Sequence, residues 1–564
     1  MWAIAPAGSR LSGALFPANS IRWETLGDDK KNWVLTESDV RCMMYSDMSR
    51  DGRGLGIFAD RLHSPDWART RRVSVAASEP ALTEPMHGAM SPISAVDVLR
   101  RLPPEWPHDL LPAIRSEIES CGSKLIVLDD DPTGTQTVKN VPVLTKWDVP
   151  QLTAELHDPG ATCYILTNSR SLGGEEARRL ASCIVRNLMS ASARTGRPVR
   201  VLSRSDSTLR GHFPDEIEGI IEGLGFEPDT LLLAPFFVEG GRLTIGDVHY
   251  VRDGESLVPV AMTEFAHDPV FGYQNSNLRQ WVVEKTGGRI QPSQVDSLSL
   301  EEIRQGGPDL VVERLLTAPR GRVWIVNAAA MSDVQVVALA LLRAESRGLK
   351  VLCRTAASFV PAYGGLEPAA LLDGHDLCSG SGGGLILVGS FVPRTTQQLA
   401  ELLSSGDCAS LELEAAALLD PEKRPHEVGR ASEFALRTMA EGRHAVVYTS
   451  RQVIHGRTRG ESLLIQRAIS RALIEVVRRL EVQPRFLVAK GGITASDVAT
   501  EGLGVVRAEV LGQIVPGVPV WKLGPESRFP GMPLVVFPGN VGGPVSLVET
   551  LRRLEGRRQE DAPC

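Results

Sequence analysis

Along most of this chain, short apolar runs alternate with longer amphipathic stretches. "KLIVL" (124–128), "TCYILT" (162–167), "VRVLS" (199–203), "TLLLAPFF" (230–237) and "RVWIVNA" (322–328) read as strands buried on both faces. Between them, "EEARRLASCIVRNLMSASA" (175–193) and "SDVQVVALALLRAES" (332–346) carry apolar residues at helical spacing. The alternation resumes with "LILVGS" (385–390), "AVVYTS" (445–450), "RFLVAKGG" (485–492) and "PLVVFPG" (533–539), with helices expected near 394–404, 461–479 and 493–502. Buried strands interleaved with helices predict a parallel sheet covered on both faces. The fold class is α/β: two α/β domains, each a mostly parallel sheet covered by helices, with an active site in the cleft between them.

The break between the two series is "GHDLCSGSGGG" (374–384), whose glycines and serines read as a linker. The expected division is an N-terminal domain over 95–375, a linker at 376–384, a C-terminal domain over 385–557 and a charged tail at 558–564 that frays. Residues 1–94 lack a sustained period of either kind. They read either as a poorly ordered extension or as translated sequence upstream of the real start, with Met90 as an alternative initiator.

Composition narrows the classes. The chain has 564 residues, too many for one core, and is mildly acidic, with 61 basic against 68 acidic residues. That balance argues against a nucleic-acid or membrane-surface partner. Apolar runs such as "VQVVALALL" (334–342) fall far short of the roughly 20 residues a membrane helix needs. The eight cysteines are scattered without a C-x-x-C pair, which suits a reducing, cytoplasmic location and argues against a zinc cluster.

In open α/β sheets, ligands bind beyond the carboxyl ends of the strands, so the loops directly after strands carry the candidates. "LDDDPTGTQT" (128–137) places Asp129, Asp130 and Asp131 at a strand end, followed by Thr133 and Gly134. A strand-end acid can bind a metal, accept a substrate hydroxyl's hydrogen bond or act as general base; the bland alternative is a solvated loop capping the next helix. "SRSDSTLRGHFPDEI" (203–217) brackets Asp206, Ser207 and Thr208 with Arg204 and Arg210, ahead of Gly211. Arginine forks suit a carboxylate or phosphate, hydroxyls and an acid suit a polyol, and the alternative is a capped helix with surface ion pairs. "VGSFVPRT" (388–395), "AKGGITASD" (489–497) and "FPGNVGG" (537–543) are glycine turns at which backbone N–H groups can hold phosphate, though none matches a P-loop or Rossmann fingerprint. "TEFAHDP" (263–269) brings Glu264, His267 and Asp268 together as a metal or base cluster would, but fits no established ligand spacing and reads rather as a polar connecting loop.

Together these stretches resemble the four-carbon acid sugar kinase family. "DDDPTGT" (129–135) aligns with its A-D-D-x-T-G-A, "SRSDSTLRGH" (203–212) with K-x-D-S-T-L-R-G-N, and "TEFAHDP" with T-x-F-x-x-D-P. "GSFVPRTTQQL", "KGGITASDV", "LGQIVPGVPVWKL" and "FPGNVGGPVSL" follow the family's order in the second half. The likeness spans about residues 123 to 552. Asp129 stands where alanine is usual, Arg204 replaces lysine, and "FPGNVGG" lacks the lysine and phenylalanine of K-x-G-x-F-G.

The resemblance implies an ATP- and Mg²⁺-dependent kinase acting on a hydroxyl of threonate, erythronate or a 3-keto tetronate. The sugar acid would lie on the N-terminal domain and the nucleotide on the C-terminal one. Asp130 or Asp131 would orient and deprotonate the hydroxyl. Arg204 or Arg210 would clamp the carboxylate, with Thr133, Asp206, Ser207, Thr208 and Gly211 around the acid. Ser390, Gly491, Gly492, Ile493, Thr494 and Gly539 would line the nucleotide. No residue is named as a metal ligand. The expected partner is a small-molecule sugar acid, with no nucleic acid and no membrane, and a homodimer is allowed. Domain closure about 374–384 would exclude water.

Two rival readings compete. The D-x-D-x-T of Asp129, Asp131 and Thr133 also opens haloacid-dehalogenase-like phosphatases, with Asp129 as nucleophile. A non-catalytic sugar-acid or nucleotide sensor would keep the fold without turnover.

Overall fold

The computed structural model describes residues 23–25, 31–33, 91–367, 370–372, 374, 377, 382–451, 454 and 459–556. The 376–384 linker, the tail and the N-terminal 1–94 segment therefore lie largely outside the described residues. The chain divides into a unit over Met1–Met86 and a unit over His87–Cys564. In the first, Trp23–Thr25 and Lys31–Trp33 pair antiparallel.

The second unit is built on one sheet of fifteen strands. Its first eight, in chain order, are β1 (Lys124–Asp129), β2 (Val141–Leu144), β3 (Thr162–Leu166), β4 (Val199–Arg204), β5 (Thr230–Ala234), β6 (Val295–Leu298), β7 (Arg322–Val326) and β8 (Val351–Thr355). The remainder are β9 (Leu385–Val388), β10 (Cys408–Leu413), β11 (His444–Thr449), β12 (Leu487–Lys490), β13 (Arg507–Val515), β14 (Val518–Leu523) and β15 (Pro533–Phe537). Across the sheet they run β6-β7-β5-β8-β4-β1-β3-β2-β13-β14-β15-β12-β9-β11-β10.

The expected α/β class is observed, with one difference: the two series of strands share a sheet. The first eight are all parallel. So are β15, β12, β9, β11 and β10. The junction is antiparallel, β2 to β13, β13 to β14 and β14 to β15. Three reversals mean that the two parallel halves run in opposite directions. The junction strands escape a sequence reading because "VPVL" is short and carries a proline, and "RAEVLGQIV" alternates without a long apolar run.

Several elements follow directly from their residues. All six side chains of β1 are buried, as a strand covered on both faces requires. The run expected over 230–237 stops at Ala234 because Pro235 cannot donate to the ladder, and β15 ends at Phe537 before Pro538 for the same reason. The helix Gly174–Thr195 turns Ala177, Ala181, Ile184, Val185 and Leu188 inward and closes on Gly196 in the left-handed region. A separate antiparallel sheet joins Ile93–Ser94, Ser256–Pro259, Val248–Asp253 and Arg242–Ile245.

The topology positions the loops. The chain builds β1, β2 and β3 to one side, then crosses to place β4 against the other edge of β1. The second half repeats this: β9, β10 and β11 to one side, then β12 against the other edge of β9. Each half thus has a switch point at which loops diverge and a crevice opens. The first lies between β1 and β4, the second between β9 and β12. Six inter-strand steps separate β1 from β12, about 29 Å in a flat sheet. Twist and curl must close that gap for the two crevices to meet.

Candidate active site

At the first switch point Asp129 and Arg204 are register partners on adjacent strands. Arg204 Nη1 donates to Asp129 Oδ1 at 3.1 Å and lies 3.8 Å from Asp130 Oδ1. Asp129 is 1% exposed and its Oδ2 has no partner. Burial pushes its carboxyl up to about 7, with Arg204 opposing and Asp130 and Asp131 adding to the rise. A side chain at Gly134 would strike Asp129 Oδ2 at 2.0 Å, so only glycine lets the turn close over this carboxylate. Asp129 has no open path to an incoming electrophile, which removes the nucleophile that the phosphatase reading requires.

Asp130 is saturated. Ser205 Oγ donates to its Oδ2 at 2.7 Å, and Arg170 grips it through Nη2 at 2.5 Å and Nε at 3.3 Å. Gly211, at φ +111°, brings the backbone so near that a Cβ would lie 3.0 Å from Asp130 Oδ2 and 2.7 Å from Ser205 Oγ. Asp131 is the more open acid, its side chain 18% exposed. Its Oδ1 accepts from Thr133 N at 2.8 Å and Thr133 Oγ1 at 2.6 Å, and its Oδ2 takes Arg170 Nη1 at 3.2 Å. Burial works to raise its carboxyl, but Arg170 and the Thr133 bonds outweigh it and hold it below the ordinary value.

The loop after β4 forms the facing wall. Arg210 pairs with Asp206 through Nε at 2.9 Å and Nη2 at 3.2 Å, and Arg170 Nη1 approaches Asp206 Oδ1 at 3.8 Å. Burial opposes its charge, yet Arg210 and Arg170 hold the Asp206 carboxyl far below its ordinary range. Ser207 and Thr208 are buried, their carbonyls taken by His249 Nε2 at 2.8 Å and Tyr273 OH at 2.7 Å. The 263–269 loop backs this wall: Asp268 Oδ2 lies 3.9 Å from Arg210 Nη1, and Phe265 lies under the Arg210 guanidinium at 5.0 Å.

The structure brings in residues that the sequence reading missed. Arg170, four residues past β3, bridges three acids. Arg354, inside β8, is buried against the Phe213 and Trp281 rings at 5.5 Å each and donates to Ser205 Oγ at 3.0 Å. Glu216 accepts from Ser169 Oγ at 2.9 Å beneath Asp130, and burial with the Asp130 charge pushes its carboxyl up to about 7. Arg170 had a signal, being charged and just beyond a strand. Arg354 had none, because "VLCRT" does not read as a strand.

At the second switch point the glycine turns converge. A Cβ on Gly491, at φ +122°, would lie 3.0 Å from Ser390 Cβ and 3.2 Å from Thr494 Oγ1, and one on Gly539 would lie 3.2 Å from Ser390 Oγ. Thr395 Oγ1 donates to Gly539 O at 3.0 Å. Lys490, fully buried, donates to Pro538 O at 2.5 Å and Gly539 O at 3.3 Å over the Phe537 ring. Burial, with the Arg394 charge nearby, pushes its ammonium down to about 6. Beside these turns lies a cavity of about 240 Å³, walled by Phe391, Val392, Ile469, Leu473 and Ile493 and floored by Gly491 and Gly492. An apolar slot with a polar backbone rim suits a flat heterocycle whose phosphates lie on the turns.

The two switch points meet. The turn after β1 reaches across the junction, where Trp521 Nε1 of β14 donates to Thr135 Oγ1 at 2.9 Å. A Cβ on Gly492 would lie 3.1 Å from Asp131 Oδ2. The open carboxylate of the first crevice therefore faces the glycine turn of the second.

A family described as the sugar-binding N-terminal domain matches residues 125–363, and one described as the nucleotide-binding C-terminal domain matches residues 385–547. The chain belongs to the four-carbon acid sugar kinase family. It is 25% identical over 319 residues to the D-erythronate kinase of Heliobacterium modesticaldum, covering 55% of this chain and 67% of that enzyme. Its fold is similar to that of a solved protein from Salmonella typhimurium LT2, with TM-score 0.58 and 16% identity over 76% of this chain and 99% of the other. A Haemophilus influenzae protein of the DUF1537 family gives TM-score 0.52 and 16% identity over 76% and 100%. As a member of this family the chain is a nucleotide-binding sugar kinase. Among the described residues, no helix is long and apolar enough to cross a membrane.

Proposed function

We propose that this protein transfers the γ-phosphoryl group of MgATP to a hydroxyl of a four-carbon sugar acid, erythronate being the first candidate. The observation that carries this reading is Asp131, an ionised, partly open carboxylate set against the Gly491–Gly492 turn. Phosphoryl transfer needs little covalent work from protein: an alcohol held in line with the phosphorus, and charge neutralised as the bond breaks. Asp131 orients the hydroxyl and accepts its proton. The hydroxyl oxygen bonds to the γ-phosphorus, while the bond from phosphorus to the bridging oxygen breaks and its electron pair leaves on ADP. The depressed pKa of Asp131 keeps it an acceptor throughout the neutral range, and Arg170 fixes its direction.

The other roles follow from what each side chain has left to give. Arg204 is 4% exposed and committed to Asp129 and Asp130, whereas Arg210, though paired with Asp206, keeps its side chain partly open, so the carboxylate clamp falls to Arg210. Asp206 and Ser207 read the acid's hydroxyls. Ser390, Gly491, Gly492, Ile493, Thr494 and Gly539 take the nucleotide. Among the described residues no three His, Cys, Asp or Glu side chains gather as metal ligands. Mg²⁺ enters with ATP as part of the MgATP substrate, held by its phosphates.

The test is ADP release from MgATP with erythronate, threonate and 3-keto tetronates, run beside Asp131→Asn. Turnover with one of these acids, reduced by about 10²-fold or more in the variant while ADP binding persists, is the expected result. Nucleotide binding without turnover on any of them would favour the sensor.

A further inference from the structure

Of the arginines at the two crevices, Arg170, Arg204 and Arg210 each lie within 4 Å of at least one carboxylate, while Arg354 is buried and donates to Ser205 Oγ and Arg451 donates to the Ser390 carbonyl. Arg242 and Arg394 differ. Neither has a carboxylate partner among the described residues. Arg242, at the start of the strand Arg242–Ile245, rests on Phe265 with its guanidinium 5.7 Å from the ring centre, next to Arg210 on the same ring. Its Nη1 is tied to the carbonyl of Gly240, and its Nε is buried without an acceptor. Arg394 projects from the helix Pro393–Ser404 onto the 537–543 turn, with Nη1 3.3 Å from Asn540 O and 3.4 Å from Gly542 O.

We infer that Arg242 from the first half and Arg394 from the second are catalytic residues that hold the transferred phosphoryl group from opposite sides. The inference rests on the kinase reading above and deepens it by naming groups that would touch the reacting phosphate. A dianion would give the buried Arg242 Nε the acceptor it lacks, and would meet in Arg394 an exposed guanidinium tied to the turn through Nη1 alone. Burial lowers the pKa of Arg242; Asp206 and Glu264 work against that fall, and Arg210 and Arg394 work with it. Arg394 also lies near enough to Lys490, which holds the Gly539 turn, for its charge to disfavour the Lys490 ammonium. As the hydroxyl oxygen attacks and the bridging bond breaks toward ADP, charge on the three peripheral oxygens faces both side chains. Donors already in place at that moment stabilise it without reorganisation.

The experiment uses the full chain and four variants, Arg242→Gln, Arg242→Lys, Arg394→Gln and Arg394→Lys. It measures kcat and KM for the sugar acid and equilibrium affinities for ADP and a non-hydrolysable ATP analogue. Each glutamine variant should lose about 10²-fold or more in kcat. Affinity for ADP should hold, showing a folded nucleotide site, while the preference for the triphosphate over ADP shrinks. Added guanidinium ion should restore part of the lost kcat, and the lysine variants should fall between. A raised KM for the acid at unchanged kcat would make Arg242 a carboxylate reader and overturn the inference. Equal losses for ADP and the triphosphate analogue would overturn it for Arg394. Wild-type turnover matched by both glutamine variants sinks the inference alone, whereas a wild-type chain that binds no nucleotide sinks the kinase reading with it.

Discussion

Asp129 and Arg204 are the two places in the N-terminal motifs where this chain departs most in charge or shape from the pattern it resembles, and they meet side by side on β1 and β4. A buried pair with one oxygen unmatched is a poor source of stability. Its effect on the pH dependence has a definite sign. The folded carboxyl keeps its proton up to about 7, whereas the unfolded one releases it near 3.8. The folded state therefore binds more protons across that window, and this group's contribution is complete below 3.8 and declines as pH rises toward 7. Urea unfolding of wild type and Asp129→Asn from pH 4 to pH 8 should show the wild type losing stability relative to the variant over that range. Parallel curves would mean that Asp129 is ionised throughout. At the second crevice, Lys490 fixes the Gly539 turn through two carbonyls. Lys490→Met should leave those acceptors unmatched, at about 1–3 kcal/mol, and weaken ADP binding tenfold or more by calorimetry.

At the scale of elements, what sequence pattern reveals and what it hides have physical causes. β1, β3, β4, β9, β11, β12 and β15 are buried on both faces and stand out as apolar runs, which makes the loops after them legible from residue pattern alone. β8 and β10, "VLCRT" and "CASLEL", carry charged or alternating residues and give no such signal. Arg354 is hidden with β8. Arg170 lies beyond a recognisable strand, but one arginine in "TNSRSL" has no meaning until the fold places three carboxylates around it. The glycine turns are legible as turns; that Gly492 faces Asp131 is not, since 361 positions and a curled sheet separate them. That contact is open to test. An added methyl at Gly492 would press on Asp131 Oδ2 at 3.1 Å, and Arg170 and Thr133 leave the carboxylate little room to move. Gly492→Ala should lower kcat by about 10- to 100-fold, as small misplacements at a reacting centre do. Unchanged kcat would remove Asp131 from contact with the reaction.

At the scale of the molecule, the junction decides how the halves can move. Closure about the glycine-rich 374–384 stretch is the natural expectation for two domains with separate sheets. Here main-chain bonds cross the junction, with Asn140 N to Val510 O at 2.7 Å and Thr145 N to Val506 O at 3.0 Å, so the halves are continuous through β2 and β13. Any closing motion must then come from flexing of the twisted sheet or from the loops at the crevices. Away from the crevices the junction is locked by charge. Lys124 Nζ donates to Glu155 Oε1 at 2.6 Å with both side chains buried, and Arg507 of β13 reaches Glu155 Oε2 at 3.0 Å. Removing Glu155 leaves buried Lys124 with only the partly exposed Asp158 carboxylate, 3.7 Å away, so the loss should stay below the ~3–5 kcal/mol of a fully broken buried pair. Because Arg507 belongs to the other half, the loss should be felt by both. Glu155→Ala should lower the urea midpoint of a single transition, followed by tryptophan fluorescence of Trp324 on β7 and Trp521 on β14. If the transition instead splits in two, with the nucleotide-binding half unfolding at its original midpoint, the shared sheet does not couple the halves and closure between them regains its freedom.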